Sequence, residues 1–148
     1  MPIMKLHTIT TVTDPLAQLI KDDPVRPEIT IEQRVNERSC IYVLLDDHDV
    51  PQAVTCVRFL NIIPATVQDM FNEIESVSVA VFYTIWSYSA GAGRQLIQQA
   101  QGAIKQTNPE VNTWVTLSPK TEMARKFHHR NGAQTLRENQ DTVNYIYS

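Results

Sequence analysis

The stretch 77-VSVAVFYTIW-86 runs almost directly into 88-YSAGAGRQLIQQAQ-101, and this junction constrains the fold more than any other part of the chain. Its first half is β-branched, aromatic and small, the composition of a central strand. Its second half is helix-forming, and two glycines one residue apart stand where the strand must give way to the helix. A strand that enters a helix through such a turn leaves amide N–H groups unpaired at the helix start. They point outward, where the helix dipole favours negative charge. Gly91, Ala92, Gly93, Arg94 and Gln95 are the candidate donors, with the Arg94 side chain adding charge. The stretch lacks the Lys-Ser/Thr ending of a P-loop, and GAG is too short for the dinucleotide fingerprint. A tight packing turn without any ligand is an equally good reading of the turn alone.

Around that junction the chain reads as alternating elements. Asp14-Pro15 is a helix start, a cap residue followed by proline, and 16-LAQLIK-21 continues it. A second short helix is expected over 30-TIEQRVNE-37. The runs 40-CIYVLL-45 and 52-QAVTCVRFLN-61 form a hairpin about the polar turn DDHDVP. Thr66 with Asp69 resembles a capping box for a helix over 67-VQDMFNEI-74. The glycine turn then leads to a helix from about Gly93 to Lys105, ended by Asn108-Pro109. A strand, 113-TWVTL-117, enters Ser118-Pro119; a helix spans Thr121 to Asn131, with Gly132 at its stop. The segments 134-QTLRE-138 and 142-TVNYIYS-148 close the chain as a hairpin. With a first strand near the N-terminus, the order is that of an α/β (α+β) fold with a central mixed sheet flanked by helices.

Composition narrows the function classes. The 148 residues show no repeat, low-complexity tract or linker, so a single domain over 1–148 is expected. A formal net charge of −3 argues against a nucleic-acid or anionic-membrane surface. The N-terminus lacks the apolar core of a signal peptide, and no apolar run is long enough for a membrane span, so a cytoplasmic location is expected. Cys40 and Cys56 lie symmetrically about the hairpin turn and could face each other across two strands, as reduced thiols. They lack the spacing of a zinc site. The Asp46, Asp47 and Asp49 cluster lacks the glycine and distal glutamate of a calcium loop, and His7 and His48 read as surface residues. No metal ligand set is expected.

The stretch 88-YSAGAGRQLI-97 is similar to the pyrophosphate-binding motif of the GNAT acetyltransferase superfamily, Arg/Gln-x-x-Gly-x-Gly/Ala. Gly91 and Gly93 match, while Tyr88 departs from the first position. The element order resembles that fold over nearly the whole chain. Four further stretches, 81-VFYTI-85, 115-VTLSP-119, 127-FHHRNGA-133 and 143-VNYIY-147, resemble in order the catalytic domain of malonyl-CoA decarboxylases, which is itself GNAT-like. Against that family's pattern, these 148 residues show no counterpart of its helical N-terminal domain, of an insertion before VNYxY or of an acidic residue near the glycine turn.

The resemblance implies that the glycine turn holds the diphosphate of a coenzyme A thioester, malonyl-CoA or acetyl-CoA. It makes Ser118 the catalytic serine, orienting the substrate carboxylate, and His128 the proton donor, with no metal required. Helix geometry places Ala124 and His128 on one face, with Met123 and Phe127 as the adjoining apolar stripe and His129 turned to solvent beside Arg125. Without the resemblance His128 would read as a half-buried histidine without chemistry. Tyr83 would be core, and Tyr145 and Tyr147 would share one packing face. Two further functions stay open: N-acetyl transfer from acetyl-CoA to an amine, and a catalytically inactive CoA-binding module. The substrate is a small molecule in each case; the oligomeric state is not readable.

Overall fold

The computed structural model describes residues 4–148. Among these, eight strands join one sheet: β1 (Lys5–Ile9), β2 (Ser39–Leu45), β3 (Pro51–Leu60), β4 (Val79–Ser87), β5 (Thr113–Thr116), β6 (Ser118–Pro119), β7 (Gln134–Glu138) and β8 (Thr142–Tyr147). β1 to β4 pair successively antiparallel, β4 and β5 pair parallel, and β8 pairs antiparallel with β5, β6 and β7. Trp114 opposite Tyr147 and Ser118 opposite Val143 keep one register, so β6 continues β5 along β8. The expected mixed sheet is therefore present.

Helices cover both faces. The long helix α2 (Ala92–Thr107) buries Leu96, Ile97, Ala100 and Ile104, a stripe at helical spacing, against one face, and Asn108 ends it. The other face is covered by a 3₁₀ helix (Pro15–Asp22), the short α1 (Ile31–Arg34) and a second 3₁₀ turn (Gln68–Phe71). α3 (Glu122–Arg130) starts at Thr121, whose hydroxyl accepts from Ala124 N, and stops before Gly132 at φ 101°.

Three expected helices are shorter or tighter than the sequence suggested. Over 15–22 the bonds are of the i→i+3 kind, such as Ala17 N to Asp14 O at 2.9 Å. The run must end at Asp23, which Pro24 holds extended. Thr30 and Gln33 form a true capping box, yet α1 stops at Arg34 because Asn36 turns back to pair with Ser39. Thr66 and Asp69 also bond reciprocally, but the 3₁₀ turn they open, Gln68–Phe71, is only four residues long.

The two cysteines do not face each other. A bulge between Leu44 and Leu45 shifts the β2–β3 register, so Cys40 lies opposite Val57 and Cys56 opposite Ile41. Cys40 joins the core under α2 and Cys56 the core on the opposite face; both are free and buried. His7, expected on the surface, is half-buried, with Nε2 2.7 Å from Asp14 Oδ2. No helix among the described residues is long and apolar enough to cross a membrane.

Candidate active site

β4 and β5 pair only from Val79–Thr113 to Phe82–Thr116. Beyond that point they part, because each strand is diverted. In β4 the partner of Val57 is Phe82 but that of Cys56 is Thr84, so Tyr83 is an extra residue that bends the strand. In β5 the ladder to β8 breaks at Thr116 and Leu117. Side chains take over there: Asn144 Nδ2 donates to Thr116 O at 2.8 Å and Tyr145 N donates to Thr116 Oγ1 at 3.1 Å. Asn144 also donates to Pro64 O and accepts from Arg137 and Asn139, so this wholly buried amide holds the break in place.

The fork between the strands opens into a cleft of about 530 Å³, walled by β4 from Phe82 to Ser87, by Ser118 and Pro119, and by α3. Ser118 and His128, ten residues apart in sequence, meet in its wall: Ser118 Oγ lies 3.2 Å from His128 Nε2. The Ser118 hydroxyl donates to Thr116 Oγ1 at 2.8 Å. On the far side of the imidazole, Nδ1 lies 2.7 Å from the Tyr147 hydroxyl. The ring of Tyr145 stacks on His128 at 5.0 Å, and Phe127 and Tyr147 stand edge-on to it. Thr116, Ser118, His128 and Tyr147 thus form one line of polar groups in an aromatic shell.

The electrostatics of that line are set by burial. His128 is 6% exposed, and burial, aided by the neighbouring His129, pushes its pKa down to about 4. It is a neutral imidazole at neutral pH. Burial pushes the Tyr147 phenol upward, so it stays protonated. One hydroxyl can donate to Nδ1 or accept from it, so the line can carry its protons in either direction.

The helix start beside the cleft has the expected backbone. Gly91 adopts φ 80° as the cap of α2, without a side-chain cap. Gly93 has a separate reason to be glycine: a Cβ there would come within 2.7 Å of the Phe127 ring, so α3 packs directly on the turn. Packing therefore accounts for Gly93 and backbone conformation for Gly91. The first-turn amides of Gly93 and Arg94 remain without helical partners by geometry, and the Arg94 side chain is exposed, while Ala92 is buried and Gln95 half-buried. Tyr88, at the departing motif position, accepts from Trp86 Nε1 at 2.9 Å and donates to Asp22 Oδ2 at 2.8 Å.

Other expectations divide. His129 is exposed, as helix geometry indicated, and bonds Thr135. Met123 is 82% exposed, so the apolar stripe of α3 is cleft rim rather than core. Tyr83 is buried in the core, its hydroxyl without a hydrogen-bond partner. Tyr147 is the residue that sequence reasoning undervalued. Alternation put it on one face with Tyr145, but spacing alone could not show that its hydroxyl meets His128.

No family model matches the sequence, and no curated protein does. Among solved structures, the chain is similar to the malonyl-CoA decarboxylase of Rhodopseudomonas palustris, with TM-score 0.78 at 19% identity over 98% of this chain and 60% of that one. The decarboxylase of Agrobacterium vitis gives 0.68 at 23% identity, over 84% and 35%. The acetyl-CoA complex of Arabidopsis thaliana NAA60 gives 0.67 at 13% identity, over 98% and 99%. The chain thus spans 35% to 60% of those two decarboxylase chains and nearly all of the acetyl-CoA-bound protein. The fold is the GNAT fold.

Proposed function

We propose that this chain binds an acyl-CoA thioester in the β4–β5 fork and decarboxylates malonyl-CoA to acetyl-CoA. The observation that carries the reading is the Ser118–His128 contact at 3.2 Å in the cleft wall, with Tyr147 behind the imidazole. The diphosphate of the thioester would sit at the turn from Gly91 to Gln95, on the amides of Gly93 and Arg94 that the helix leaves unpaired, with the pantetheine arm entering the fork. Glycine-turn amides and the helix dipole suit a dianion there.

Decarboxylation breaks the bond between C2 and the carboxyl carbon. Carbon dioxide leaves, and the bonding pair passes into the thioester as an enolate. C2 then takes one proton, so one proton is consumed per turnover. Ser118 orients the departing carboxylate by hydrogen bonding. The apolar walls, among them Phe82, Ile85, Trp86 and Phe127, hold that carboxylate away from water, and loss of carbon dioxide disperses its charge.

His128 enters neutral. A carboxylate seated beside Nε2 favours the imidazolium and offsets the burial that otherwise suppresses it. Substrate binding then draws in a proton, Nδ1–H turns to donate to the Tyr147 oxygen, and the imidazolium delivers the proton to C2. Proton uptake belongs to substrate binding and not to the free protein, whose histidine lies far below neutrality.

A second reading has one observation in its favour. The acetyl-CoA-bound structure matches this chain over 98% of its length with TM-score 0.67. Transfer of an acetyl group to an amine, in the cytoplasm as for the first reading, would use the same CoA site. Two assays separate them. With malonyl-CoA alone, a decarboxylase releases carbon dioxide and keeps CoA esterified. A transferase frees CoA thiol only when acetyl-CoA and an amine are both supplied. Thermal stabilisation by CoA esters with neither activity would leave a binding module.

A further inference from the structure

Residues 22–26 leave the 3₁₀ helix and cross the fork at the level where the β4–β5 ladder has ended. Three attachments fix that crossing. The Tyr88 hydroxyl, in the loop after β4, donates to Asp22 Oδ2 at 2.8 Å. The Thr84 hydroxyl, past the last β4–β5 pair, donates to Asp23 Oδ1 at 2.8 Å. On the other arm, Arg26 Nη2 donates to the carbonyl of Leu117, next to Ser118, at 3.0 Å. The segment is a strap tied to both arms of the fork.

Asp23 is its knot. The carboxylate is buried, and Oδ1 also accepts from Val25 N at 2.7 Å and Arg26 N at 3.0 Å. Oδ2 takes Nη1 of Arg34 at 2.7 Å, and Arg34 is itself fully buried, with Nε on Ile29 O and Nη2 on Arg26 O. One carboxylate therefore holds the peptide on both sides of Val25, and the guanidinium that neutralises it holds the same strap again. Pro24 and Pro27 further limit the backbone.

Pro24 and Val25 line the same cleft as Ser118 and His128. Their side chains carry no polar atom, so this wall can measure an acyl group but cannot hydrogen-bond one. We propose that the strap sets the acyl length the cleft admits, with Val25 touching the acyl chain and Asp23 and Arg26 as positioning residues. This rests on the acyl-CoA reading of the site. A wall held by a buried ion pair does not yield to a longer ligand, so each added methylene meets a fixed surface. One methylene in such a pocket changes binding by roughly 10-fold or more.

The test is the affinity of CoA, acetyl-CoA, propionyl-CoA, butyryl-CoA and hexanoyl-CoA for the full chain and for Val25→Ala, Val25→Phe and Arg26→Met, by titration calorimetry. Wild type is expected to weaken sharply beyond a short acyl chain. Val25→Ala should move that cut-off to longer chains, with roughly 10-fold tighter butyryl-CoA binding, and Val25→Phe should move it to shorter ones, both with CoA affinity unchanged. Arg26→Met should flatten the length dependence without shifting CoA affinity, which a merely structural role would not do. Identical length profiles in wild type and both Val25 variants would overturn the strap while leaving the CoA site standing. Failure of wild type to bind CoA or any ester would overturn both.

Discussion

Two buried polar networks flank the one cleft, and they are built on opposite principles. On the strap side, Asp23 and Arg34 are a fully buried ion pair in which the carboxylate oxygens take Val25 N, Arg26 N, Thr84 Oγ1 and Arg34. Burial works to raise the Asp23 carboxyl, but the bonds from Arg26 N, Val25 N, Arg34 and Thr84 outweigh it and hold the group below its ordinary value. On the α3 side, Thr116, Ser118, His128 and Tyr147 are all neutral and joined in single file. The first network has fixed charges and fixed donors, so it can hold a position and little else. The second has hydroxyls and an imidazole whose protons can be redistributed, so it can do chemistry at modest cost. Burial of a charge selects for rigidity here, and burial of neutral hydrogen-bonding groups leaves room for proton movement.

The sharpest way to break the comparison is to strip the ion pair of one partner. Arg34→Met leaves the Asp23 carboxylate buried and unpaired, and should cost roughly 3–5 kcal/mol in urea unfolding. A loss below about 1 kcal/mol would mean that the strap network is not what holds that wall.

The neutral network should show itself next, in the pH dependence of stability. The folded pKa of His128 lies below its ordinary 6.5, at about 4. The unfolded chain therefore binds more protons in between, and stability falls as pH drops through that window. The loss is at most roughly 3 kcal/mol and is complete below about pH 4. Asp23, with its depressed pKa, adds stability that is present above its ordinary 3.8 and lost only at lower pH. The two regions thus separate on one titration. Replacing His128 by Gln should flatten the upper window and leave the lower one, as read from thermal unfolding at a series of pH values.

A smaller effect is expected at Tyr147. Tyr147→Phe removes the partner of Nδ1 without removing the ring, and should cost about 1 kcal/mol of stability. Malonyl-CoA turnover should fall roughly tenfold, in kcat rather than KM, because proton delivery and not substrate holding is impaired.

Much of this was legible from residue order. The junction of 77–86 with 88–101 predicted the strand, the turn and α2, since a β-rich run and a helix-forming run leave only one way to join. The resemblance of TLSP and FHHRNGA points to Ser118 and His128 separately, and only the fold brings them within 3.2 Å of each other. What escaped was set by long-range fit. The bulge that parts Cys40 from Cys56 needs one extra residue near Gln52, and nothing local marks it. The strap depends on Arg34 turning inward across eleven residues to Asp23, and nothing local in 30-TIEQRVNE-37 marks that contact. The Tyr147 contact joins the last strand to α3 across nineteen residues, and no local pattern marks it.

The most direct test of the central claim is malonyl-CoA alone, incubated with wild type, Ser118→Ala and His128→Ala and followed by mass spectrometry for acetyl-CoA. The fork reading predicts acetyl-CoA from wild type and at least 10²-fold less from each variant, the order expected for loss of an acid–base group at His128 and of an orienting group at Ser118, with folding intact by circular dichroism. Equal turnover in all three proteins, or none in wild type despite tight binding of malonyl-CoA, would contradict it.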